Sequence, residues 1–476
     1  MQASGSARKC GRFIVLNSDS SASLPAEVLQ LCRLLANAGG QAWLVGGCVR
    51  DLLLGIKPVD YDLEAYGLNV GALNDCLRQV GRCEMVGKQF GVHKLWFKGM
   101  QIDVALPRTE AKAGVGHRGF DIQTNPELSP EVATLRRDFT INAMMFDPLQ
   151  DKLLDLHGGQ SDLDARILRH VSIAFTEDPL RPLRAMQFAA RFQLTLAPET
   201  ATLCRKLLPE ADNLPSTRIW SEWRKWCHAP WPSYGLRALE CSGWLTCYLE
   251  LNLLQDCPQD ARWHPEGNVW LHTLQVVDQA ATIAQTNKLD RHQREHLVFA
   301  ALCHDLGKPA TTIQHRAGRI GAPGHSEAGA PLSRQFLSRI HAPGRIVKYI
   351  LPLVRDHITH MHSEPTMRSV RRLAYRLQPA SIELWEMLVQ ADASGRLPAP
   401  PSRPAARWLE LAQTMRQHRQ PMPRIVNGAM LMDMGVLPGP AMGRMLARAY
   451  EAQLNGDFNN TKSARLWCLS RLEATD

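Results

Sequence analysis

The chain has 476 residues, 45% of them apolar and 21% charged, with a formal charge of +9 and a pI near 9. That length is too great for one core and points to three or four domains. No uninterrupted apolar stretch approaches the roughly 18 residues of a membrane span, and the short FIVL near the N-terminus is too brief for a secretory leader, so a cytoplasmic protein is expected.

In chain order, residues 24–39 have helical periodicity and AWLVGG reads as a short strand. GCVRDLLLG starts a helix closed by Gly55, and DYDLEAY is the next strand. HKLWFKG and MQIDVAL form a hairpin around Gly99, followed by a polar loop, RTEAKAGVGHRGF, at 108–120. From about residue 160 the pattern turns almost wholly helical, broken at HAPWPSY and again before RWHPEGN. A Pro-rich linker at 396–406 separates a last helical segment, in which a Pro-Gly-Pro turn precedes a basic helix carrying Arg444 and Arg448. No internal repeat is visible. The fold class expected is α+β: a small α/β head over residues 24–155, on a mixed sheet of the five-stranded type, then all-α segments at 156–260, 261–398 and 399–476.

The positive charge is unevenly spread, with eight Lys/Arg against four Asp/Glu in 181–230 and ten against six in 401–476. Such a distribution suits a polyanionic partner. Twelve cysteines without CxxC or zinc-finger spacing read as reduced thiols, and no chemistry is assigned to them.

Gly46 and Gly47, between a strand and a helix, let backbone amides approach a triphosphate, with Arg50 one turn on to add charge. Alone, the pair is an ordinary tight turn. Asp60 and Asp62 follow on the next strand, where alternate side chains share a face roughly 6.5–7 Å apart and two carboxylates can converge on one hard cation. Without the glycines they would read as a solvated edge. Asp103 is a third candidate carboxylate, or an outward strand residue.

LVGGCVRDLLLG, DYDLEAYG, RRDFTINAM (136–144) and EDPLRPLRAMQFAARF (177–192) resemble the ordered motifs of the class II tRNA nucleotidyltransferases. These are the CCA-adding enzymes and bacterial poly(A) polymerases of the polymerase β superfamily. The resemblance covers about residues 40–240. It implies that Asp60 and Asp62 hold Mg²⁺ for attack by an RNA 3′-hydroxyl, with Asp103 the candidate third carboxylate. It also implies that Arg136, Arg137, Asp138 and Asn142 bind the nucleotide's sugar and phosphates. RRDFTINAM equally reads as a helix start capped by Asp138. Asp178 and Arg181 would choose the base, and Arg184 joins the nucleotide-binding set. A carboxylate accepts from the exocyclic amine of cytosine or adenine, whereas guanine and uracil offer an acceptor there. Asp178 also reads as an N-cap, and Pro182 as a residue that loosens the turn. The 108–120 loop takes the place of the family's flexible element, associated with switching from C to A addition.

VWLHTL, ALCHDLGKP, GHSEAG, RDHITH and VQADASGR place six further residues along the helices of 261–398. His304 and Asp305 end an apolar helix, where burying two ionisable groups is costly unless a metal or partners satisfy them. The pattern resembles the HD phosphohydrolases and implies His272, His304, Asp305 and Asp392 as ligands of a divalent transition metal such as Mn, Ni or Co. His325 and His357 complete a second metal site or grip phosphate; His264 is left unassigned. Head and HD motif together are similar to the bacterial multifunctional CCA-adding enzymes. In that reading 156–260 is the helical neck and body that selects the nucleotide and binds RNA, 261–398 the HD domain, and 399–476 a tail that contacts tRNA.

The function expected is template-independent, Mg²⁺-dependent addition of C, C and A from CTP and ATP to the tRNA 3′ end. An HD phosphatase and 2′,3′-cyclic phosphodiesterase activity accompanies it. A poly(A) polymerase, an A-only or CC-only enzyme, and an RNA-binding HD phosphodiesterase with an inactive head are the alternatives. Partners are the tRNA 3′ end, CTP and ATP, with no membrane; no oligomeric state follows.

Overall fold

Val28, Leu31, Cys32 and Leu35 recur at helical spacing and make Ala26–Asn37 a helix with one buried stripe, which packs on the sheet beside helix Val70–Val80. The computed structural model describes residues 12–15, 24–86, 91–112, 120–315, 318–396, 398 and 402–472, with backbone alone at 12–15, 86, 110–112 and 120–123. By its contacts the chain divides into two compact units: residues up to Glu222 with Tyr234–Cys247, and Trp223–Ser233 with everything from Tyr248 on. The expected 156–260 segment contributes to both.

The first unit is built on a mixed sheet. Its strands are β1 (Arg12–Val15), β2 (Gln41–Val45), β3 (Tyr61–Tyr66), β4 (Arg82–Val86), β5 (Val92–Phe97) and β6 (Met100–Ala105), with β9 (Met145–Asp147) and β10 (Lys152–Asp155). β7 (Arg108–Lys112) and β8 (Phe120–Thr124) pair with each other in a separate antiparallel ribbon. The order across the sheet is β1-β10-β9-β2-β3-β6-β5-β4, antiparallel throughout except for the parallel pair β3·β6.

The sheet therefore has eight strands rather than five. Strands β2 to β6 make the expected five, and β1, β9 and β10 widen it on one side. These three are only three or four residues long, too short for a period-2 pattern to register. The polar segment at 108–120 is likewise not a plain loop, because its ends lie in β7 and β8; residues 113–119, on which the expected mobility falls, lie outside the described residues.

Helices follow, including Arg181–Phe192, Pro198–Lys206 and Pro232–Cys241. Phe139, completely buried, meets Phe175 and Phe188 edge-on at 5.6 and 5.7 Å between ring centroids. This aromatic cluster joins the segment after Arg137 to the first of those helices.

The second unit is helical apart from a small pair of two-residue strands at Ile313–Gln314 and Ile320–Gly321. Helices Val269–Thr286, Arg291–Cys303, His325–Arg339, Gly344–Asp356 and Ile382–Ser394 pack together. The tail closes on its own core, with Met430, Leu431, Met442, Ala449, Phe458 and Cys468 inside. Arg444 and Arg448 stand exposed on helix Pro440–Asn455. Among the described residues no helix is long and apolar enough to cross a membrane.

Replacing Phe139 by Ala should destabilise the first unit by about 3–5 kcal/mol, the usual cost of emptying a buried aromatic site; denaturant unfolding followed by tryptophan fluorescence measures it.

Candidate active sites

In β3 the side chains of Asp62, Glu64 and Tyr66 fall on one face. The parallel register with β6 sets Asp62 directly beside Asp103. Asp103 thus joins the aspartate pair instead of pointing away from it. Asp60 lies exposed in the bend just before the strand. Burial raises the Asp62 carboxyl to about 6; Arg137 opposes this, and the charges of Asp103, Asp60 and Glu64 add to it. Three carboxylates crowded this way repel one another until a cation joins them, and an all-oxygen donor set suits a hard divalent ion.

Gly46 supplies the other wall. Its φ is +76°, and a Cβ there would stand 3.3 Å from Arg137 Nη1 and 3.5 Å from Asp62 Oδ2. Only glycine leaves that space open. Helix Gly47–Leu53 begins immediately after it.

Arg136 and Arg137 each donate an Nη2 to Glu64 Oε1 at 2.9 Å, and the Tyr66 hydroxyl donates to Glu64 Oε2. Glu64 is only 2% exposed. The sequence reading missed it, although an acid two residues past Asp62 on an apolar strand was a visible signal.

Asp138 does not cap an α-helix; the chain makes only a 3₁₀ turn over Thr140–Asn142. Its Oδ1 accepts from the Phe139 amide and from Asn142 Nδ2, and its Oδ2 accepts from Arg184 Nε and Nη2 at 2.8 and 2.6 Å. Burial pushes Asp138 up, but Arg184 and Asn142 outweigh it and hold the carboxyl below its usual range.

Arg50 stands one turn into helix Gly47–Leu53, as expected, but its guanidinium is committed to protein partners. It is buried, donates to Asn142 Oδ1 and Asp51 Oδ1, and lies 4.1 Å from the Phe192 ring centroid. It thereby positions Asn142 and offers no open face to a phosphate.

Asp178 and Arg181 sit on one turn. Asp178 does not cap the helix, whose N-cap is Leu180 without a side-chain cap; its Oδ1 accepts from the Leu180 amide across a turn, while Oδ2 accepts from Arg218 at 3.1 Å. Arg181 is buried and gives its two terminal nitrogens to the carbonyls of Ala174 and Arg136. Among the described residues, the side-chain cation bonded to the Asp178 carboxylate is Arg218, which the sequence reading did not single out. Pro182 falls in the first turn of helix Arg181–Phe192, where no amide partner is needed, so it does not loosen the turn.

In the second unit, five helices bring all six expected residues together. His272 Nε2 lies 3.0 Å from Asp392 Oδ1 and 4.0 Å from Asp305 Oδ2, and His304 Nε2 lies 3.1 Å from Asp305 Oδ2. His325 Nε2 is 3.2 Å from His357 Nε2 and 3.5 Å from Asp305 Oδ1. His304, His325 and His357 each turn Nδ1 toward a backbone carbonyl, those of Ala301, Ala322 and Val354 at 2.7, 2.8 and 2.6 Å. A carbonyl accepts only from N–H, which leaves each Nε2 lone pair facing inward, the state a metal requires.

Among the described residues His304 Nε2 and Asp305 Oδ2 are buried without a hydrogen bond. Lys308 Nζ approaches that oxygen at 2.7 Å. Burial opposes ionisation of Asp305 and Asp392, yet the surrounding histidines, with Lys308 and Arg396, hold both carboxyls well below the usual range. Burial brings His357 down to about 3, with help from His304 and His325. Imidazole nitrogens and carboxylate oxygens gathered in this way fit a borderline divalent metal.

Two neighbouring triads share Asp305, one with His272 and His304, the other with His325 and His357. Glu266, absent from the sequence reading, accepts from His272 Nδ1 at 2.8 Å and His264 Nδ1 at 2.9 Å. It sets the His272 ring as an outer carboxylate does behind a metal-bound imidazole. Gly307, in the HDLGK run, would place a Cβ 2.0 Å from the His325 carbonyl oxygen, so only glycine lets the His325 helix come this close.

Residues 42–169 match the poly A polymerase head domain family, and residues 269–393 match the HD domain family. The chain thus joins a nucleotidyltransferase-type head to an HD-type helical centre, as its motifs indicated. Its sequence is 36% identical over 367 residues to the multifunctional CCA protein of Xylella fastidiosa (strain 9a5c), covering 75% of this chain and 84% of that one. With the multifunctional CCA protein of Xanthomonas campestris pv. campestris (strain B100) it shares 35% identity over 419 residues, 86% of this chain and 96% of that one. The chain belongs to the multifunctional CCA protein family.

The fold agrees. A Bacillus stearothermophilus CCA-adding enzyme in complex with CTP superposes with a TM-score of 0.63 at 22% identity, covering 94% of this chain and 98% of that one. A Thermotoga maritima CCA-adding enzyme complexed with tRNA-CCA gives 0.60 at 18% identity, covering 97% and 99%.

Glu266→Gln should weaken binding of Mn²⁺ to the helical unit about 10- to 100-fold, the usual cost of losing an outer carboxylate; competition with a chelating dye reads this directly.

Proposed function

We propose that this chain completes the 3′ end of tRNA, adding C, C and A from CTP and ATP without a template, and that its HD centre removes 2′,3′-cyclic and terminal phosphates from RNA ends. The observation that carries the first activity is the register that sets Asp62 beside Asp103, next to the Gly46 turn and Arg137. Family membership and the positive surface of the tail agree with it.

In the head, Asp60, Asp62 and Asp103 would hold Mg²⁺, which when bound stabilises both the attacking oxygen and the leaving pyrophosphate. The RNA 3′-oxygen bonds to the α-phosphorus, the bond from that phosphorus to the bridging oxygen of pyrophosphate breaks, and the hydroxyl proton passes to solvent. Arg137 stands beside Asp62 and the Gly46 turn as a cation for the triphosphate. Glu64 holds Arg137 and Arg136 in place, and Arg184 fixes Asp138 and through it Asn142. Asp178 accepts from the cytosine or adenine amine. Arg181 takes part in base reading only if its bonds to the Ala174 and Arg136 carbonyls open, whereas Arg218 already touches Asp178.

In the HD domain, His272, His304, Asp305 and Asp392 would hold a transition metal such as Mn, Ni or Co, with His325 and His357 beside them; the metal when bound lowers the pKa of water for attack on phosphorus. Hydrolysis adds one water across a P–O bond and returns a ribose hydroxyl. Freeing the 3′-hydroxyl supplies the group the head requires, so the two activities are chemically consecutive. The location proposed for both activities is the cytoplasm.

With tRNA ending before CCA, after C and after CC, Mg²⁺, CTP and ATP should give extension that stops at CCA. Long A tails on any RNA would make the chain a poly(A) polymerase. Asp62→Asn should reduce incorporation at least about 10³-fold while leaving HD hydrolysis intact. In Asp178→Ala, discrimination against UTP should fall about 5- to 150-fold, corresponding to about 1–3 kcal/mol of base contact, as measured by competing CTP and UTP on tRNA lacking CCA.

A further inference from the structure

We infer that the pocket over the HD centre reads an RNA end at least two nucleotides long, with Trp263 stacking the terminal base and Arg396 holding the phosphodiester that links it to the nucleotide before. This deepens the HD reading above and rests on it.

Trp263 is 65% exposed, whereas Trp223, Trp226, Trp244, Trp270, Trp385 and Trp408 are buried. A single exposed aromatic is unremarkable by itself; the position of this one is informative. It lines a cavity of about 340 Å³ that also touches Asp305, His325, His357 and Asp392. It lines a second cavity of about 310 Å³, together with Arg262, Pro265 and Pro398. Arg396 belongs to both cavities as well. Trp263 and Arg396 therefore stand where the two spaces adjoin, one holding the metal ligands and the other leading away from them.

The Trp263 ring is presented by a bonded turn. The amides of Trp263 and His264 donate to the Asp260 carbonyl at 3.0 and 2.9 Å. The Asp260 carboxylate accepts from Arg262 Nε and Nη2 at 2.9 and 2.6 Å. The next residue, His264, packs its ring 4.8 Å from that of His272. The indole is thus anchored to the metal-ligand shell, and little backbone freedom is lost when a base stacks on it.

The cations are disposed for phosphate. Among the described residues Arg396 Nε finds no hydrogen-bond partner, and the guanidinium comes no closer than 3.9 Å to Asp392 Oδ1. Lys308, on the first cavity, lies between Asp305 Oδ2 and Gln259 Oε1, each 2.7 Å away. A guanidinium with spare donors at the junction of two nucleotide-sized spaces matches a phosphodiester, and an exposed indole beside it matches any base, because every base has a π-face. A free mononucleotide would fill one cavity and leave Arg396 without its anion.

The test uses the full chain with Mn²⁺ or Ni²⁺ and two substrates, cytidine 2′,3′-cyclic phosphate and the dinucleotide CpC ending in a 2′,3′-cyclic phosphate. Binding of 5′-fluorescein CpCpA 3′-phosphate to the chelated protein, read by anisotropy, is measured alongside. Trp263→Ala should raise the dinucleotide KM about 5- to 100-fold, more than kcat falls, and weaken anisotropy binding in proportion, with Trp263→Phe recovering most of both. Arg396→Ala should lower the preference for dinucleotide over mononucleotide, as a ratio of kcat/KM, about 10-fold. Unchanged KM and binding in Trp263→Ala, or an unchanged preference in Arg396→Ala, overturns the inference. If wild type hydrolyses neither substrate but binds the probe in a Trp263-dependent way, the phosphodiesterase reading fails and the RNA-end subsite stands; if it neither hydrolyses nor binds, both fail.

Discussion

Burying Glu64 in the middle of the central sheet would be prohibitive without compensating charge, and the compensation organises the head. Two arginines, Arg136 and Arg137, converge on its Oε1 and draw their segment across the sheet face that carries Asp62. The next residue, Asp138, is buried in turn and takes Arg184 from a helix that starts more than forty residues later. Asn142 links Asp138 to Arg50, and Arg50 returns to the helix that follows the Gly46 turn. Each buried charge is satisfied by the next. The result is a continuous polar network that holds Gly46, Asp62 and Arg137 in one place before any substrate arrives.

The helical unit meets the same constraint with a different solution. His272, His304, Asp305 and His357 are all almost fully buried, and no single ion pair can satisfy them together. Backbone carbonyls take the outer nitrogens of three histidines and Glu266 takes that of the fourth, so the inner atoms are left aimed at one another. Trp385 donates to the Asp356 carbonyl, and Arg376 and Arg355 pair with the Asp356 carboxylate. That knot fixes the helix end from which His357 follows. The geometry is costly to maintain without a metal, which explains why so many neighbouring groups are committed to it.

Much of this was legible from local residue type. A glycine pair after a strand, aspartates two apart, a His-Asp doublet closing an apolar helix and a basic tail are short-range patterns whose chemistry follows from spacing. The misassigned roles have one cause. Arg50 has the spacing of a phosphate ligand, but its partners Asn142 and Phe192 are 92 and 142 residues away. Arg181 has the spacing of a base reader, but its donors are taken by two carbonyls, one of them forty-five residues back. The role of Glu64 and of Arg218 likewise comes from partners 73 and 40 residues away, although an acid on an apolar strand was itself visible; Glu266 went unnoticed beside its partners His264 and His272, only two and six residues off. The outer strands escaped because three residues carry too little periodicity.

The sequence by itself determined the class of fold, the order of its segments and the donor types at both centres, because these depend on side-chain chemistry and on periods of 2 and 3.6 residues. Only the tertiary structure decided that Asp103 stands with Asp62, that the Arg218 side chain rather than that of Arg181 bonds the Asp178 carboxylate, and that Trp263 and Arg396 border two adjoining cavities. Strand register, burial and the choice of ion-pair partner are set by packing between residues far apart in the chain, where the cost of an unpaired buried charge is settled.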